Sequence, residues 1–586
     1  MEMTFHKVHC PRCGRVMMAN ELAFDFGEII NIALEKAKNR TFGSTEEWYE
    51  LKKYNLCLYL TLDDLVNDYG IKKESERSYR GFYKFTVGHL QNQIVKLADS
   101  IDPQFNIDKI IGDSNLIEFN ALTKALAKSS DENYRDLAKD IQSLANKVKK
   151  NMGSDNKGST VIASFMVDVI MQEDDQGNLF ANRLLVEFDD HDRKNITRFV
   201  CKGNKGEPCG KILYGQAGQY KEIIIGMAGT ARVGKTAYLA SLLACTLRKG
   251  RNNKKLGHPQ KVIKNIAFID KAYDDFERDL LEPYVRSDKI KKTPYIFDGA
   301  EKGTAAVSLF SMTFAINGGK SYIFTFIDMP GEVYDKDGNI VTDSGEKLGL
   351  DIIENKRRII KSADVIWTCI SAEQVLGESM PGPEQVTDDW DQAIMNLGNT
   401  MRAIDCDGRI PQAVLVTKSD FAEEGFGLCH KDFNPFAGPD NPIRSFKEKD
   451  EKTPWVSMNG QLYFSNMKWF IKKTLDFIEN QPGMATSIYT YLGKFTPFAV
   501  ASYGRNIDNI VALVDEEEGL PEPSMIEGPF LWTLGILGLI DVVEETVKTE
   551  TRTEGILIFA RTVTETVPVL EKVKDLDKLY YYRGNQ

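Results

Sequence analysis

The sequence predicts an α/β protein built on a doubly wound, mostly parallel sheet, preceded by a smaller region with cysteine pairs at both ends. Three observations carry this. Short apolar runs of strand length alternate with helical patterns between residues 221 and 545. A glycine-rich loop joins the first run, Ile223-Ile224-Ile225, to a helix with Leu239, Leu242, Leu243 and Leu247 along one side. Cys10 and Cys13 near the start are matched by Cys201 and Cys209, just ahead of that run. At 586 residues the chain has room for three or four domains with large cores.

In chain order, residues 1–20 and 195–220 are expected to form the two halves of one cysteine ribbon. Between them, residues 21–160 read as a mostly helical insertion, with helical spacing in Phe82–Leu97 and Leu137–Val148. It ends in the linker-like Lys149–Thr160, rich in Gly, Ser, Asn and Lys. Residues 161–194 read as a β-hairpin, Val161–Met171 and Leu184–Phe188 across the turn Asp174–Asn178. The largest domain spans 221–545. Its expected strands are Ile223–Ile225, Val307–Ile316, Tyr322–Ile327, Val365–Ile370, Ala413–Val416 and Phe498–Ala501. The second and third join at Asn317-Gly318-Gly319-Lys320 as a hairpin, which puts one antiparallel strand on the sheet. Residues 546–586 read as a C-terminal extension, with Gly555–Thr562 and Val567–Leu570 apolar enough to pack.

Hydrophobic and charged fractions of 42% and 27% are those of an ordinary soluble protein. A formal net charge of −11 argues against general nucleic-acid coating, and the basic run Arg248–Lys255 reads as a solvated loop. The acidic run Asp515–Glu518 reads the same way. Met1–Cys13 lacks the apolar segment of a signal peptide. The longest apolar stretch, Phe530–Ile540, is far short of the ~20 residues a membrane helix needs, so a buried core helix is expected there. These readings imply a cytoplasmic protein, in which nine cysteines are not a disulfide framework.

Gly229-Thr230-Ala231-Arg232-Val233-Gly234-Lys235-Thr236, with Ala237 behind it, has the spacing of a phosphate-binding loop in strand–loop–helix context. Its glycines allow a tight turn whose N–H groups face phosphates, Lys235 reaches the β and γ oxygens, and the Thr236 hydroxyl suits Mg²⁺. Downstream, the strand Tyr322–Ile327 leads into Asp328-Met329-Pro330-Gly331. An aspartate there can hold Mg²⁺ through water, and the Gly331 N–H can bond a γ-phosphate. The strand Ala413–Val416 leads into Thr417-Lys418-Ser419-Asp420, whose carboxylate can pair with N1–H and the exocyclic amine of guanine while the Lys418 stem covers the ring. Adenine lacks those two donors, so ATP would leave Asp420 unpaired.

Over roughly residues 221–506 these motifs, in this order, resemble the translation-factor-related class of P-loop GTPases. The resemblance implies a fifth motif at Ala501-Ser502-Tyr503, against the guanine carbonyl, and a switch threonine, for which Thr293 is the choice with Thr304 behind it. The Gly-Thr-Ala-Arg-Val-Gly-Lys-Thr loop, the Asp-Met-Pro-Gly-Glu segment and the preceding ribbon are similar to the bacterial double-GTPase families, which are inferred parts of conflict and antiviral defence systems. Three departures stand out. Thr417 replaces the usual asparagine, which weakens a tie to the phosphate loop. Glu332 replaces the usual glutamine, and serves as a general base or repels the γ-phosphate and slows turnover. Arg232 faces solvent, its own nucleotide, or a partner's nucleotide in a nucleotide-dependent dimer.

Cys10, Cys13, Cys201 and Cys209, each second cysteine followed by glycine, suit a tetrahedral Zn²⁺ site that is structural once all four ligands are thiolates. Reduced free thiols are the alternative. His9 is a substitute ligand or, more simply, a solvated neighbour. The other cysteines, Cys57, Cys245, Cys369, Cys406 and Cys429, mostly read as small core residues, and no histidine pairing suggests another active site. The expected function is a Mg²⁺-dependent switch that binds GTP and slowly hydrolyses it to GDP. Its protein partner would meet the helical region or the switches. A GTP sensor without useful hydrolysis and an ATP-driven P-loop machine are the rivals.

Overall fold

Alternation of buried and exposed side chains organises the N-terminal part of the chain. The computed structural model describes residues 4–10, 13–38, 58–86, 89, 135, 139, 161–203, 209–213, 216–229, 233–246, 263–268, 277–285, 308–316, 320–328, 360–376, 409–419, 461–492, 494–502, 525–554 and 561–580. The chain divides into two compact units, Met1–Lys221 and Glu222–Gln586.

The first unit opens with the antiparallel pair β1 (Lys7–His9) and β2 (Val16–Met18). A short pair follows, β3 (Phe24–Asp25) with β4 (Tyr59–Leu60), and between them runs the helix Phe26–Lys38. The helix Leu62–Asn67 starts where Thr61 and Asp64 cap each other's backbone N–H. Five antiparallel strands then form one sheet in sequential order: β5 (Lys72–Ser75), β6 (Ser78–Thr86), β7 (Val161–Glu173), β8 (Leu179–Glu187) and β9 (Arg193–Ile196). On β7, Ala163, Phe165, Val167, Val169 and Met171 are buried at every second position, and they pack with Phe26, Ile29, Ile30 and Tyr83.

The β7–β8 hairpin turns at Asp174–Asn178, where Asp174 Oδ1 accepts from the Asn178 and Gln176 N–H groups. Its third strand, β9, crosses the boundary expected at residue 194. The helix expected from Phe82 is overturned as far as Thr86. Phe82 and Phe85 have helical spacing, yet Phe82 is exposed while Tyr83 and Phe85 are buried, the period of a strand. The described residues of 21–86 therefore mix strands with two α-helices, and several of them share the core of β7 and β8. Of the remaining insertion only His89, Arg135 and Lys139, all helical, are described; Leu137–Val148 otherwise and Lys149–Thr160 lie outside the described residues.

The second unit holds a seven-stranded sheet. Its members are β10 (Lys221–Ala228), β11 (Ile263–Phe268), β12 (Ser308–Ile316), β13 (Ser321–Asp328), β14 (Val365–Ser371), β15 (Gln412–Thr417) and, after the short β16 (Leu462–Tyr463) of another sheet, β17 (Thr496–Ala499). The spatial order is β11-β12-β13-β10-β14-β15-β17, with a five-strand parallel core from β13 to β17. β12 is antiparallel to β13, as the hairpin at Asn317–Lys320 requires. β11, not expected from the sequence, is antiparallel to β12 at the edge.

Both faces are covered, as a parallel sheet demands. On β15, Ala413 and Leu415 pack in one core with Leu239 and Leu243 of the helix Lys235–Thr246 and with Leu531 and Leu534 of the helix Gly528–Ile536. Val414 and Val416 pack in another with Phe477, Ile478, Ile488 and Leu492 of the helices Phe464–Glu479 and Pro482–Leu492. Every residue of Gly528–Ile536 is buried, and no helix among the described residues is long and apolar enough to cross a membrane.

The boundary expected at residue 545 cuts through β18 (Val542–Glu554), which pairs with β19 (Arg561–Lys572) and, at its start, with β16. The tail beyond is integral to the unit. Leu579 is buried, and its carbonyl accepts from Trp532 Nε1 at 2.9 Å and Thr496 Oγ1 at 3.0 Å. Removing residues 573–586 leaves two buried donors unpaired, each costing about 1–3 kcal/mol. Urea unfolding of the truncated chain, followed by near-ultraviolet circular dichroism, should show a clearly lower midpoint.

Candidate functional site

Strand order reverses at β10: from β10 the chain goes to the edge strand β11, returns through β12 to β13 beside β10, and then crosses to β14 on the other side. Ligands of open α/β sheets bind at the carboxyl ends of strands beside such a reversal. Gly229 follows β10 with φ +152°, and a Cβ there would lie 2.6 Å from the Cys369 carbonyl of β14. Gly234, at φ +85°, makes the left-handed turn into the helix Lys235–Thr246. Lys235 is buried at the first position of that helix, and its ammonium donates to the Gly229 carbonyl at 2.8 Å. Thr236 and Ala237 are half-buried in the same turn. Backbone N–H groups at a helix start are of the kind that can hold an anion.

Two strands away, Thr417 ends β15. Its buried hydroxyl bonds the Val233 carbonyl of the glycine loop and lies 3.1 Å from the Ile370 carbonyl of β14. The tie expected to weaken with threonine is therefore made, through a shorter side chain. Lys418 follows in the left-handed region, φ +53°, with its Nζ 2.8 Å from Glu373 Oε2. The Ser419 N–H donates to the Val500 carbonyl at 3.2 Å, which sets this segment against the one after β17. There Ala501 and Ser502 are buried, and the Ser502 carbonyl accepts from the Tyr284 hydroxyl.

Asp328 is the last residue of β13, at the carboxyl edge of the strand beside β10. Its side chain is outside the described set. So are Thr230, Ala231, Arg232, Thr293, Thr304, Gly331, Glu332, Asp420 and Tyr503. Sequence reasoning missed Glu373 and Tyr284. Glu373 had a signal: it follows a mostly apolar strand by two residues, at the sheet edge where ligands of open α/β sheets bind.

The first unit carries a second constellation. Cys10, Cys13, Cys201 and Cys209 bring their four sulfurs within 4.8 Å of one another. Two matching knuckles place them. The Cys10 N–H bonds the Arg15 carbonyl and the Gly14 N–H bonds the Cys10 carbonyl; the Cys201 N–H bonds the Lys211 carbonyl and the Gly210 N–H bonds the Cys201 carbonyl. Gly14 and Gly210 take φ +70° and +64°, which explains the glycine after each second cysteine. The Gly203 N–H also lies 3.4 Å from Cys201 Sγ.

Sγ separations of 3.7 Å (Cys10–Cys209) and 3.6 Å (Cys13–Cys201) are far beyond a disulfide bond. A tetrahedron with metal–sulfur bonds of about 2.3 Å has edges of about 3.8 Å, so the four sulfurs fit a metal ion such as zinc. Such close thiols share protons: the Cys13 contact pushes the Cys10 thiol up, and the Cys10 contact pulls that of Cys13 down. A divalent cation removes this conflict by stabilising all four thiolates. His9 is buried rather than solvated, and burial lowers its imidazole to about 4, which keeps it neutral.

No protein-family model matches this sequence, and no curated protein matches it either.

A metal in the four-sulfur site is open to a direct check. Elemental analysis of purified protein should find about one tetrahedral ion per chain, and cobalt exchange should give sulfur-to-cobalt charge-transfer absorption. Cys201→Ser should lower metal retention and destabilise the first unit, read as earlier loss of near-ultraviolet circular dichroism on heating.

Proposed function

We propose that the second unit is a Mg²⁺-dependent GTP-binding protein that slowly hydrolyses GTP to GDP and phosphate and works as a molecular switch. One observation supports this above the others. The glycine loop that ends in buried Lys235 is hydrogen-bonded, through the Val233 carbonyl, to the threonine that opens Thr417–Asp420. The loop with phosphate-binding spacing and the segment with guanine-reading spacing thus start from one edge of the same sheet. The resemblance of the motifs to translation-factor-related GTPases supports the same reading.

In this proposal Lys235 and the loop amides from Gly229 to Thr236 stabilise phosphate charge. Thr236 and Asp328 would hold Mg²⁺, which supplies further neutralisation of the phosphates when bound. Their helix start and strand end belong to neighbouring strands at the same edge. Gly331 senses the γ-phosphate, Thr293 closes the first switch, and Glu332 positions water. Lys418 and Asp420 select guanine, with Ser502 and Tyr503 against its carbonyl. Catalysis would be electrostatic and positional.

The four cysteines are proposed to hold a structural Zn²⁺, since a site with four thiolates has no open position for chemistry. A partner protein would bind through the N-terminal region or the switches, and Arg232 would serve a nucleotide-dependent dimer. Similarity to the double-GTPase families supports a role in bacterial conflict or antiviral defence. Glu332 in place of glutamine favours one rival, a GTP sensor that turns over too slowly for hydrolysis to matter.

Equilibrium binding of fluorescent GTP and ATP with Mg²⁺ tests the proposal. GTP should be preferred by at least about 100-fold, as expected when a buried acceptor is left unpaired by the wrong base. Asp420→Ala should erase that preference. Gly229→Ala should abolish binding of both nucleotides, because its methyl meets the Cys369 carbonyl. Equal affinity for GTP and ATP, unmoved by Asp420→Ala, would refute a guanine site. Single-turnover phosphate release separates an enzyme from a sensor.

A further inference from the structure

Beside the glycine loop, the short helix Ala372–Leu376 carries a carboxylate whose burial a purely architectural role does not explain. β14 ends at Ser371, and a reciprocal cap fixes the turn that follows. The Ser371 N–H donates to Gln374 Oε1 at 3.0 Å, and the Gln374 N–H donates to Ser371 Oγ at 3.3 Å. Glu373 therefore sits on a rigid backbone, with its side chain 7% exposed. One oxygen, Oε2, takes the Lys418 ammonium at 2.8 Å. The other, Oε1, is buried and accepts no hydrogen bond among the described residues.

A carboxylate held this way is costly to desolvate, and a pair serving stability alone would gain by facing water. Buried acceptors left open in a rigid frame belong to sites that are completed by something else. Lys418 is constrained too. Its left-handed backbone is unusual for a lysine, and it lies between the Thr417 and Ser419 hydrogen bonds to the neighbouring loops. A free lysine side chain samples many rotamers; one anchored at its tip and its backbone keeps its four-carbon stem in one path.

We infer that Glu373 is a positioning residue for nucleotide specificity: it anchors the Lys418 ammonium so that the lysine stem covers the guanine ring. This rests on the guanine reading above. It adds to that reading a residue outside the motif, reached through the end of a different strand. Because the anchor acts on the base side of the nucleotide, its effect is the same for GTP and GDP.

Release of fluorescent GDP and GTP from the full-length chain with Mg²⁺ decides the matter, in wild type, Glu373→Ala, Glu373→Gln, Lys418→Ala and the Glu373→Ala/Lys418→Ala double variant. Glu373→Ala should speed release about tenfold for both nucleotides, and the double variant should be no faster than Lys418→Ala alone, as for residues that act through one contact. Glu373→Gln keeps the shape and one hydrogen bond but not the charge. It should speed release about threefold, and it carries the test if the alanine variant does not fold. Unchanged release in both Glu373 variants, or effects that multiply in the double variant, would overturn the positioning role while the guanine site stands. A wild-type chain that binds no GDP or GTP would overturn both.

Discussion

The carboxyl edge of the parallel sheet depends on one side chain, the Thr417 hydroxyl, placed between the carbonyls of Val233 and Ile370. It joins the glycine loop after β10 to the ends of β14 and β15. Three loops from three adjacent strands thereby keep one geometry. The close approach of Gly229 to the Cys369 carbonyl works in the same place, since any side chain larger than hydrogen would push the loop off β14. Lys235, folded back onto Gly229, completes a closed hydrogen-bonded corner. The two described ends of the loop, Gly229 and Val233–Lys235, are thereby fixed by hydrogen bonds within the chain.

The N-terminal unit meets a different constraint with a similar device. Its sheet brings together strands separated by the whole stretch between Thr86 and Val161. The four sulfurs bring Cys10 and Cys13 to Cys201 and Cys209 in the same way. Closing long loops is entropically expensive, and a metal ion held by the four thiolates only in the folded state would offset that cost with its binding free energy. The hydrophobic core beneath supplies the rest: Cys10 and Cys201 are counted among buried residues that also include Phe24, Phe26 and Phe165.

Legibility followed the source of the burial. The apolar strands of the second unit were readable because both faces of a parallel sheet are covered, so Val365–Ser371 is buried at every position. β11 was not readable: Ile263-Lys264-Asn265-Ile266 is an edge segment with polar residues among the apolar ones. β18 was missed because Thr and Glu outnumber its apolar residues, and its pairing with β19 is long-range information. β6 was misread because Phe82 and Phe85 have helical spacing while Tyr83 and Phe85 have strand spacing, and only the sheet decides which pair shares the buried face. At this sheet edge the glycine turns and the helix that starts at Lys235 were legible because their causes are local, whereas the Glu373–Lys418 pair joins residues 45 positions apart.

By itself the sequence determined the elements whose reasons are local. These are the apolar strands, the glycines that must turn left-handed, the lysine at a helix start and the two cysteine knuckles. Tertiary structure alone decided which of these meet. It placed β10 at the reversal of strand order, set Thr417 against Val233, paired Lys418 with Glu373 and brought the four sulfurs together. The physical reason is that backbone conformation and burial tendency are properties of a few consecutive residues. Hydrogen bonds between strand ends and distances between sulfurs exist only once the sheet has fixed its register.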